Sequence, residues 1–558
     1  MEEWKSIRDS LGAPFDKNRS LEGMRKILNL SYKNLPLCLR TCLLYIGKYP
    51  EDYEIRRDEL VTEWIAEGII GNSEGQDWEA TGNSYFNELI NRGLIQPESI
   101  GYGGEVLSCK VHDMMLDLIL IKCAEDNFIS VAHTCKDYMY LAMRHEQSRN
   151  KVRRLSLQCK ATKSVCTIEG SVISASLASA RSVSVFGECP RGLPFIMLSK
   201  CIRVVRIELE GRGDQVDLTV ISQMLQLRYL RVETPGCKIE LPRKICGLVH
   251  LVTLLIFSHK AISQLPSDII SLPRLSLLSL VVPWATRIPS GLNKLKRSLR
   301  SLSILFNPPD VVGMEALGEL TNLRDLSISV NRWRDDEILS LYALGSSIGK
   351  LQELKSLEIH VPPAILEDFD PLGSLTAFPR NIERLVLHGW CFSRVPRWIN
   401  GTLRNLHHLL LEVTETSSDE VDLLGEIPPL VDLELRVGLK TSAAISFDGT
   451  STGESLFPAL LKLKLRVGED AASRLHFQAG VMPKFRSLHM WVRNCESGIR
   501  RTPEGMQHLL SLKSICVEIY LREEELQWNY PWDAMERAFR DITEVHPNRP
   551  SFKIVKQV

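Results

Sequence analysis

The segments LRYLRV, LVTLLI, LSLLSL, LRSLSI and LRDLSI begin at Leu227, Leu251, Leu275, Leu299 and Leu323, each 24 residues after the one before. Looser copies continue the pattern upstream to Val152 and downstream to Leu512. This makes fifteen units with a mean spacing of about 26 residues, within the range of leucine-rich repeats. The first, fourth and sixth residues of a unit are apolar, which predicts a short strand that packs these side chains inward. Because one unit cannot bury its apolar side alone, the pattern predicts a stacked solenoid with a parallel sheet on its concave side.

Aromatic and charged residues recur at the third, fifth and seventh positions of the units, which face the concave side. Aromatic side chains and arginine dominate the energetics of protein interfaces, so this surface is predicted to bind a protein partner. The residues expected to contact that partner are Tyr229, Arg231, Phe257, Asp432, Glu434, Arg436, Lys462, Lys464, Arg466 and Trp491.

Composition limits the remaining classes of function. The 558 residues carry 68 basic and 68 acidic side chains, so no net charge draws the chain to nucleic acid or to an acidic membrane. No apolar run approaches the ~20 residues of a membrane-spanning helix, and the start MEEWKSIRDS lacks the apolar core of a signal peptide. The fourteen cysteines form no regular framework, which is typical of a reducing compartment. We therefore expect a cytoplasmic protein, with the periphery of the plasma membrane and the nucleus as further locations.

The first 150 residues follow a different pattern, with helical periodicity over 21–46, a turn at Pro50 to Asp52, and a second helical pattern from Arg57 to Ile65. The stretch LSYKNLPLCLRTCLLYIGKYPEDYEIRRDELVTEWIAEGII, residues 30–70, closely resembles the winged helix of plant nucleotide-binding leucine-rich-repeat disease-resistance proteins of the coiled-coil branch, especially the grass forms. YFNELINRGLIQ from Tyr85 and VHDMMLDLIL from Val111 continue the resemblance in the family's order. The resemblance therefore covers essentially the whole chain.

The triplet at 111–113 corresponds to the family's Met-His-Asp motif, with Val111 in place of Met. The resemblance implies that His112 senses the β-phosphate of ADP and that Asp113 is its structural neighbour. The residue types are compatible with this role, because Asp113 can cap a helix beginning at Met114, and an imidazole at a helix start can donate to a phosphate oxygen. The alternative is that His112 is only a hydrogen-bonded polar residue at a loop end.

The Gly-Lys-Ser or Gly-Lys-Thr of a phosphate-binding loop does not occur in the sequence. We therefore expect ADP or ATP to belong to the full-length family and not to bind stably to this chain alone, and we expect no enzymatic activity. Cysteine and histidine spacings match no zinc motif, so no metal site is expected. The helical pattern near Arg57 is too acidic to suit nucleic acid. The expected organisation is the end of a truncated nucleotide-binding region at 1–28, the winged helix at 29–130, a linker at 131–150, repeats at 151–540 and a C-terminal tail at 541–558.

Two hypotheses about function remain. In the first, the chain is a fragment of an immune receptor whose repeats recognise a pathogen effector or a guarded host protein and hold the winged-helix switch at rest, with a full-length receptor as a further partner. In the second, it is a repeat scaffold or decoy without nucleotide switching. Immune output on pairing with a complete receptor would favour the first, and partner binding without such output would favour the second. An extracellular receptor ectodomain conflicts with the lack of a signal peptide.

Overall fold

A computed structural model describes residues 19–71, 77–101, 103–133, 137, 152–159, 179–187, 199–210, 215–260, 265–282, 291–306, 311–330, 338–362, 372, 375, 378–438, 445–447, 456–468, 475–493, 503–520 and 532–557. The chain divides into two compact units, Met1–Ala285 and Thr286–Val558. The first unit contains the winged helix and the first repeats, and the second unit contains the later repeats.

In the described residues, the winged helix contains five helices and a three-stranded antiparallel sheet in the order β1-β3-β2. Its elements are α1 (Arg19–Lys33), α2 (Leu37–Ile46), β1 (Ile55–Arg56), α3 (Arg57–Glu67), α4 (Trp78–Asn91), β2 (Gln96–Ile100), β3 (Val106–Lys110) and α5 (Asp113–Glu125). The core includes the fully buried side chains of Tyr45, Trp64 and Phe86.

Local sequence accounts for the helix ends. The helical periodicity over 21–46 is interrupted once, because a residue before proline avoids the helical conformation and Pro36 follows Leu35. Helix α3 ends at Gly68, whose φ of +86° is a left-handed conformation that glycine adopts without a steric penalty. The turn expected at Pro50 to Asp52 and the helix expected from Arg57 are confirmed.

The repeat strands of the first unit pair in parallel, each with the next. They are β4 (Ser130–Ala132), β5 (Arg154–Cys159), β6 (Ser182–Gly187), β7 (Val204–Leu209), β9 (Tyr229–Thr234), β11 (Thr253–Ser258) and β12 (Leu277–Val281). A separate parallel pair is formed by β8 (Gln215–Asp217) and β10 (Lys238–Glu240).

The second unit continues with the same kind of strand. Its elements are β13 (Ser301–Phe306), α6 (Val311–Leu317), β14 (Asp325–Val330), α7 (Ile338–Lys350), β15 (Ser356–His360), β16 (Arg384–Phe392), β17 (His408–Val413), α8 (Ser418–Gly425), β18 (Asp432–Val437), β19 (Ile445–Phe447), β20 (Lys462–Gly468), β21 (Leu475–Phe477), β22 (Ser487–Arg493), β23 (Ser514–Tyr520), α9 (Trp532–Val545) and β24 (Ser551–Gln557). Strands β19 and β21 pair apart from the main sheet.

The predicted repeat register is confirmed. A strand begins two residues into each of the fifteen units, and the 24-residue spacing appears directly in the pairing of Tyr229 with Thr253 and of Ser301 with Asp325. The first, fourth and sixth residues of the unit at Leu227 are fully buried, as the pattern requires.

Two expected boundaries need correction. The repeat sheet begins before residue 151, because β4 pairs with β5, and most of the expected linker at 131–150 lies outside the described residues. The expected tail at 541–558 also contains a strand of the sheet, because β24 pairs with β23 along its whole length. Each added strand satisfies backbone groups that would otherwise be unpaired along a strand edge. Of the expected segment 1–28, residues 1–18 lie outside the described part of the chain.

Candidate functional site: the winged helix on the repeat sheet

Helix α3 of the winged helix lies against the concave side of the repeat sheet within the first unit. Its residue Ala66 packs in one buried apolar cluster with Val204, Tyr229 and Leu255, which come from β7, β9 and β11. The short side chain of Ala66 lets the helix approach the sheet closely. This contact positions the charged side chains of α3 over the strands.

Glu63 is the buried centre of the contact and is fully shielded from solvent. Its carboxylate accepts hydrogen bonds from Lys48 Nζ, from the Tyr49 hydroxyl at 3.2 Å and from Arg206 Nη1 at 2.8 Å. Lys48 comes from the loop after α2 and Arg206 comes from β7. The buried carboxylate therefore joins the winged helix to the repeats.

Arg206 is 1% exposed, and its guanidinium is surrounded by acceptors. Besides Glu63, it donates to Glu59 at 2.9 Å, to Glu208 at 2.8 Å and to the Tyr53 hydroxyl at 2.9 Å. A planar guanidinium with five N–H donors suits such a site. Arg206 therefore binds two consecutive turns of α3 at once.

Arg231 on the neighbouring strand β9 repeats this arrangement. It donates to Glu59 at 2.7 Å and to Glu208 at 2.9 Å, and its guanidinium lies 5.0 Å from the ring centre of Phe257. We call the six residues Lys48, Glu59, Glu63, Arg206, Glu208 and Arg231 the junction cluster. It holds three basic and three acidic side chains, so it is neutral as a whole.

Further contacts surround the junction cluster. Arg154 of β5 donates to Glu67 at 2.8 Å, and Arg203 donates to the Glu67 carbonyl at 3.0 Å. The Lys48 carbonyl accepts hydrogen bonds from Ser156 at 2.6 Å and from Gln158 at 3.2 Å. The contact therefore extends from β5 to β11.

Burial and pairing shift the pKa values of these groups in different directions. Burial alone would raise the pKa of Glu63, but Lys48 and Arg206 outweigh it and hold the pKa below its usual value. Burial lowers the pKa of Lys48 to about 8, against the attraction of Glu63. Burial also raises the pKa of Glu67, although Arg154 opposes that change. The ion pairs are thus desolvated, and any motion that parts α3 from the sheet must rehydrate or re-pair them.

The concave residues predicted to bind a partner fall into separate groups. The prediction is wrong for Tyr229, which is fully buried beneath α3, and for Arg231, which is held by Glu59 of the same chain. Phe257 is half-buried and packs against the apolar cluster that contains Ala66 and Tyr229. These three residues face the concave side as expected, but the winged helix occupies that part of it.

In the second unit, Asp432 is also fully buried, between its in-register neighbours His408 and Lys462, so its predicted partner contact is wrong. Glu434 is buried as well, so its predicted partner contact is also wrong. Arg436 bridges Glu434 at 2.6 Å and Glu412 at 2.9 Å. Other members of the predicted set remain accessible: Lys462 is exposed, and Lys464, Arg466 and Trp491 are half-buried. For these residues partner binding stays a prediction.

His112 is exposed and is itself the N-cap of α5. Its Nδ1 accepts a hydrogen bond from the Met114 N–H at 3.3 Å, so Asp113 is not the cap that the sequence suggested. A neutral ring that accepts at Nδ1 carries its proton on Nε2, where it can donate to a ligand. The geometry therefore fits a phosphate contact from Nε2.

Sequence reasoning missed Arg206, Glu59, Glu63 and Lys48 as site residues. A signal was present, because Arg206 occupies the fifth, concave position of the unit IRVVRI and Glu59 and Glu63 lie one helical turn apart. The buried position of Lys48, in the loop after a helix, had no such signal.

Within the described ranges, no helix is long and apolar enough to cross a bilayer. The sequence matches two family models: residues 179–552 match a leucine-rich repeat region, and residues 49–119 match the disease resistance protein winged helix domain.

The relatives agree with these matches. Disease resistance protein RGA5 of Oryza sativa subsp. japonica is 33% identical over 98% of this chain and 47% of its own length. Disease resistance protein Pik-2 of the same plant is 29% identical over 79% of this chain and 45% of its own. Probable disease resistance RPP8-like protein 4 of Arabidopsis thaliana is 27% identical over 94% of this chain and 55% of its own length. The chain thus spans about half the length of these relatives. It belongs to the plant leucine-rich-repeat disease-resistance proteins and carries their winged helix and repeat region.

Proposed function

We propose that this chain is the recognition and restraint part of an intracellular plant immune receptor that acts in the cytoplasm. In this proposal the first repeats hold the winged helix at rest through the junction cluster, and the accessible concave residues of the later repeats bind a pathogen effector or a guarded host protein. The observation that carries the proposal is the burial of Glu63 between Lys48 of the winged helix and Arg206 of the repeats.

The physical basis is a two-state equilibrium. A neutral set of desolvated ion pairs is stable when every member is paired, and a partner that displaces one member leaves the others buried without a counter-charge. A ligand with different affinities for the two states can then shift the equilibrium between them. The proposal assigns no catalysis to this chain.

Nucleotide sensing is a second element of the proposal. When bound, ADP supplies an anionic phosphate, and His112 would donate to it from Nε2 while Met114 holds Nδ1 in place. We expect weak ADP binding by this chain alone, since its sequence holds no phosphate-binding loop motif. Calorimetry with the purified chain and its His112→Ala variant tests this. The variant should lose no more than the roughly 0.5–2 kcal/mol of an N-cap hydrogen bond, because His112 caps α5 but is otherwise exposed. A large loss of stability would contradict the sensor role.

The test of restraint is expression in plant leaf cells, together with a full-length relative, of wild type and two variants at matched protein levels. Arg206→Glu places a fourth carboxylate among Glu59, Glu63 and Glu208. The repulsion between these carboxylates should separate the winged helix from the sheet. Arg384→Glu is the matched control, because Arg384 also pairs with a glutamate across a repeat strand but is 39% exposed.

Ion leakage and defence-gene induction are the measured outputs. We expect Arg206→Glu to change both and Arg384→Glu to change neither. Equal outputs from all three proteins, with a protein partner still captured, would instead identify a scaffold or decoy.

A further inference from the structure

Three potential metal ligands meet on the concave side of strands β22 and β23 in the second unit. They are His489, Cys516 and Glu518, which offer a ring nitrogen, a thiol sulfur and a carboxylate oxygen within 4.8 Å of one another. His489 and Cys516 are in-register neighbours, and Trp491 is the neighbour of Glu518. The pairing of two rigid strands therefore brings these residues together from separate repeats.

The carboxylate of Glu518 is already oriented. Trp491 Nε1 donates to its Oε2 at 2.9 Å, while its Oε1 lies 3.0 Å from His489 Nε2. The Trp491 ring also packs on the His489 ring, with centres 4.2 Å apart. A neighbouring donor that fixes a ligand in this way is a regular feature of protein metal sites.

The Nε2 atom of His489 can serve as a metal ligand. This buried atom faces Glu518 Oε1 at 3.0 Å, but the two are not aligned as a hydrogen bond. The side chains of His489 and Glu518 are 24% and 17% exposed, so the site is partly desolvated and still open to solvent. A cation placed beside Nε2 would give this buried nitrogen a well-aligned partner.

We propose that His489, Cys516 and Glu518 form a binding site for a zinc-like divalent cation on the concave surface of the repeats. Nitrogen, sulfur and oxygen ligands of this kind suit Zn²⁺, whose bonds of about 2.0–2.3 Å place tetrahedral ligands roughly 3.3–3.8 Å apart. The three atoms, which lie within 4.8 Å of one another, need to draw together by about 1.5 Å at most to reach that geometry. Three protein ligands leave a fourth coordination position for water.

The sequence could not indicate this site. His489 and Cys516 are 27 residues apart in successive repeats, and such a distance matches no zinc motif. Only the register of the sheet brings them together.

The test is titration of the full chain with Co²⁺ under reducing conditions, followed by competition with Zn²⁺. A thiolate bound to Co²⁺ gives a charge-transfer absorption band, which reports ligation by cysteine directly. We expect one bound cobalt per chain, displaced by zinc. Cys516→Ser should abolish the band, His489→Ala should weaken binding at least tenfold, and Trp491→Phe should weaken it roughly tenfold through loss of carboxylate orientation.

Cys391→Ser is the matched control, because Cys391 is also half-buried on a repeat strand of the second unit. It should leave the titration unchanged. Thermal unfolding of each variant in chelator separates loss of metal from loss of fold. The proposal is overturned if wild type gives no thiolate band, or if folded Cys516→Ser keeps the band of wild type.

Discussion

Replacing Arg206 by methionine tests the junction cluster most directly. The substitution keeps an apolar stem of similar length but removes a guanidinium that is 1% exposed and binds Glu59, Glu63 and Glu208. The cluster then changes from neutral to a net charge of minus one, and Glu63 keeps only Lys48 and the Tyr49 hydroxyl as donors. Removing one partner of a buried ion pair costs about 3–5 kcal/mol, so we expect Arg206→Met to lower the free energy of unfolding by about that amount.

A second substitution checks the charge argument. Adding Glu63→Gln to Arg206→Met restores a neutral cluster, so the double variant should be less destabilised than the sum of the two single variants. The coupling between neighbouring buried charges should lie at about 1–3 kcal/mol. Arg384→Met removes a similar pair at a partly exposed site and should cost less than about 1 kcal/mol.

Urea unfolding followed by circular dichroism gives these free energies, and hydrogen exchange of α3 and β7 shows whether the loss is local. Faster exchange in both elements is expected for Arg206→Met. A change below about 0.5 kcal/mol with unaltered exchange would refute the assignment of the cluster as the main polar contact between winged helix and repeats.

Three further predictions concern other parts of the chain. Leu254→Asp should unfold neighbouring repeats at several kcal/mol of cost, whereas Leu254→Met should cost less than about 1.5 kcal/mol in thermal denaturation. Gly68→Ala should cost about 1–2 kcal/mol because φ is +86°, and more than Gly93→Ala, since only at Gly68 does the added carbon meet Arg203, at 3.1 Å. Burial lowers the pKa of Lys48 to about 8, so the unfolded state binds more protons just above that pH. Stability should therefore rise by at most about 1.4 kcal/mol per pH unit as pH increases above 8, and Lys48→Met should remove this slope in urea titrations.

The repeats could be predicted because each unit carries its own apolar pattern. Period-two alternation and the spacing to the next unit are enough to identify the inward positions of a unit. In the unit at Leu227 these positions are held by Leu227, Leu230 and Val232, which are buried. The winged-helix elements were likewise set by local signals such as Pro36 and Gly68.

The contact between the winged helix and the repeats could not be predicted in detail. Tyr229 and Arg231 face the concave side as expected, yet what covers them depends on where α3 docks, and that depends on contacts 147 residues apart in the chain, such as Glu59 with Arg206. The residue type at the third position of a unit also does not show whether that position is exposed or buried. Asp432 shows this, because its burial comes from its neighbours across the sheet and not from its own unit.

The docking of α3 across successive strands limits how repeat number can change in evolution. Unequal crossing-over between units of 24 residues inserts or deletes one strand and keeps the sheet intact, because the inward pattern is the same in every unit. Between β7 and β9 such an insertion would move Arg231 one strand spacing, about 4.8 Å, further from Arg206. Glu59 and Glu208 could then no longer bridge both arginines. Duplications are therefore compatible with the later repeats, while the number of units beneath α3 is fixed by the spacing of glutamates on a single helix.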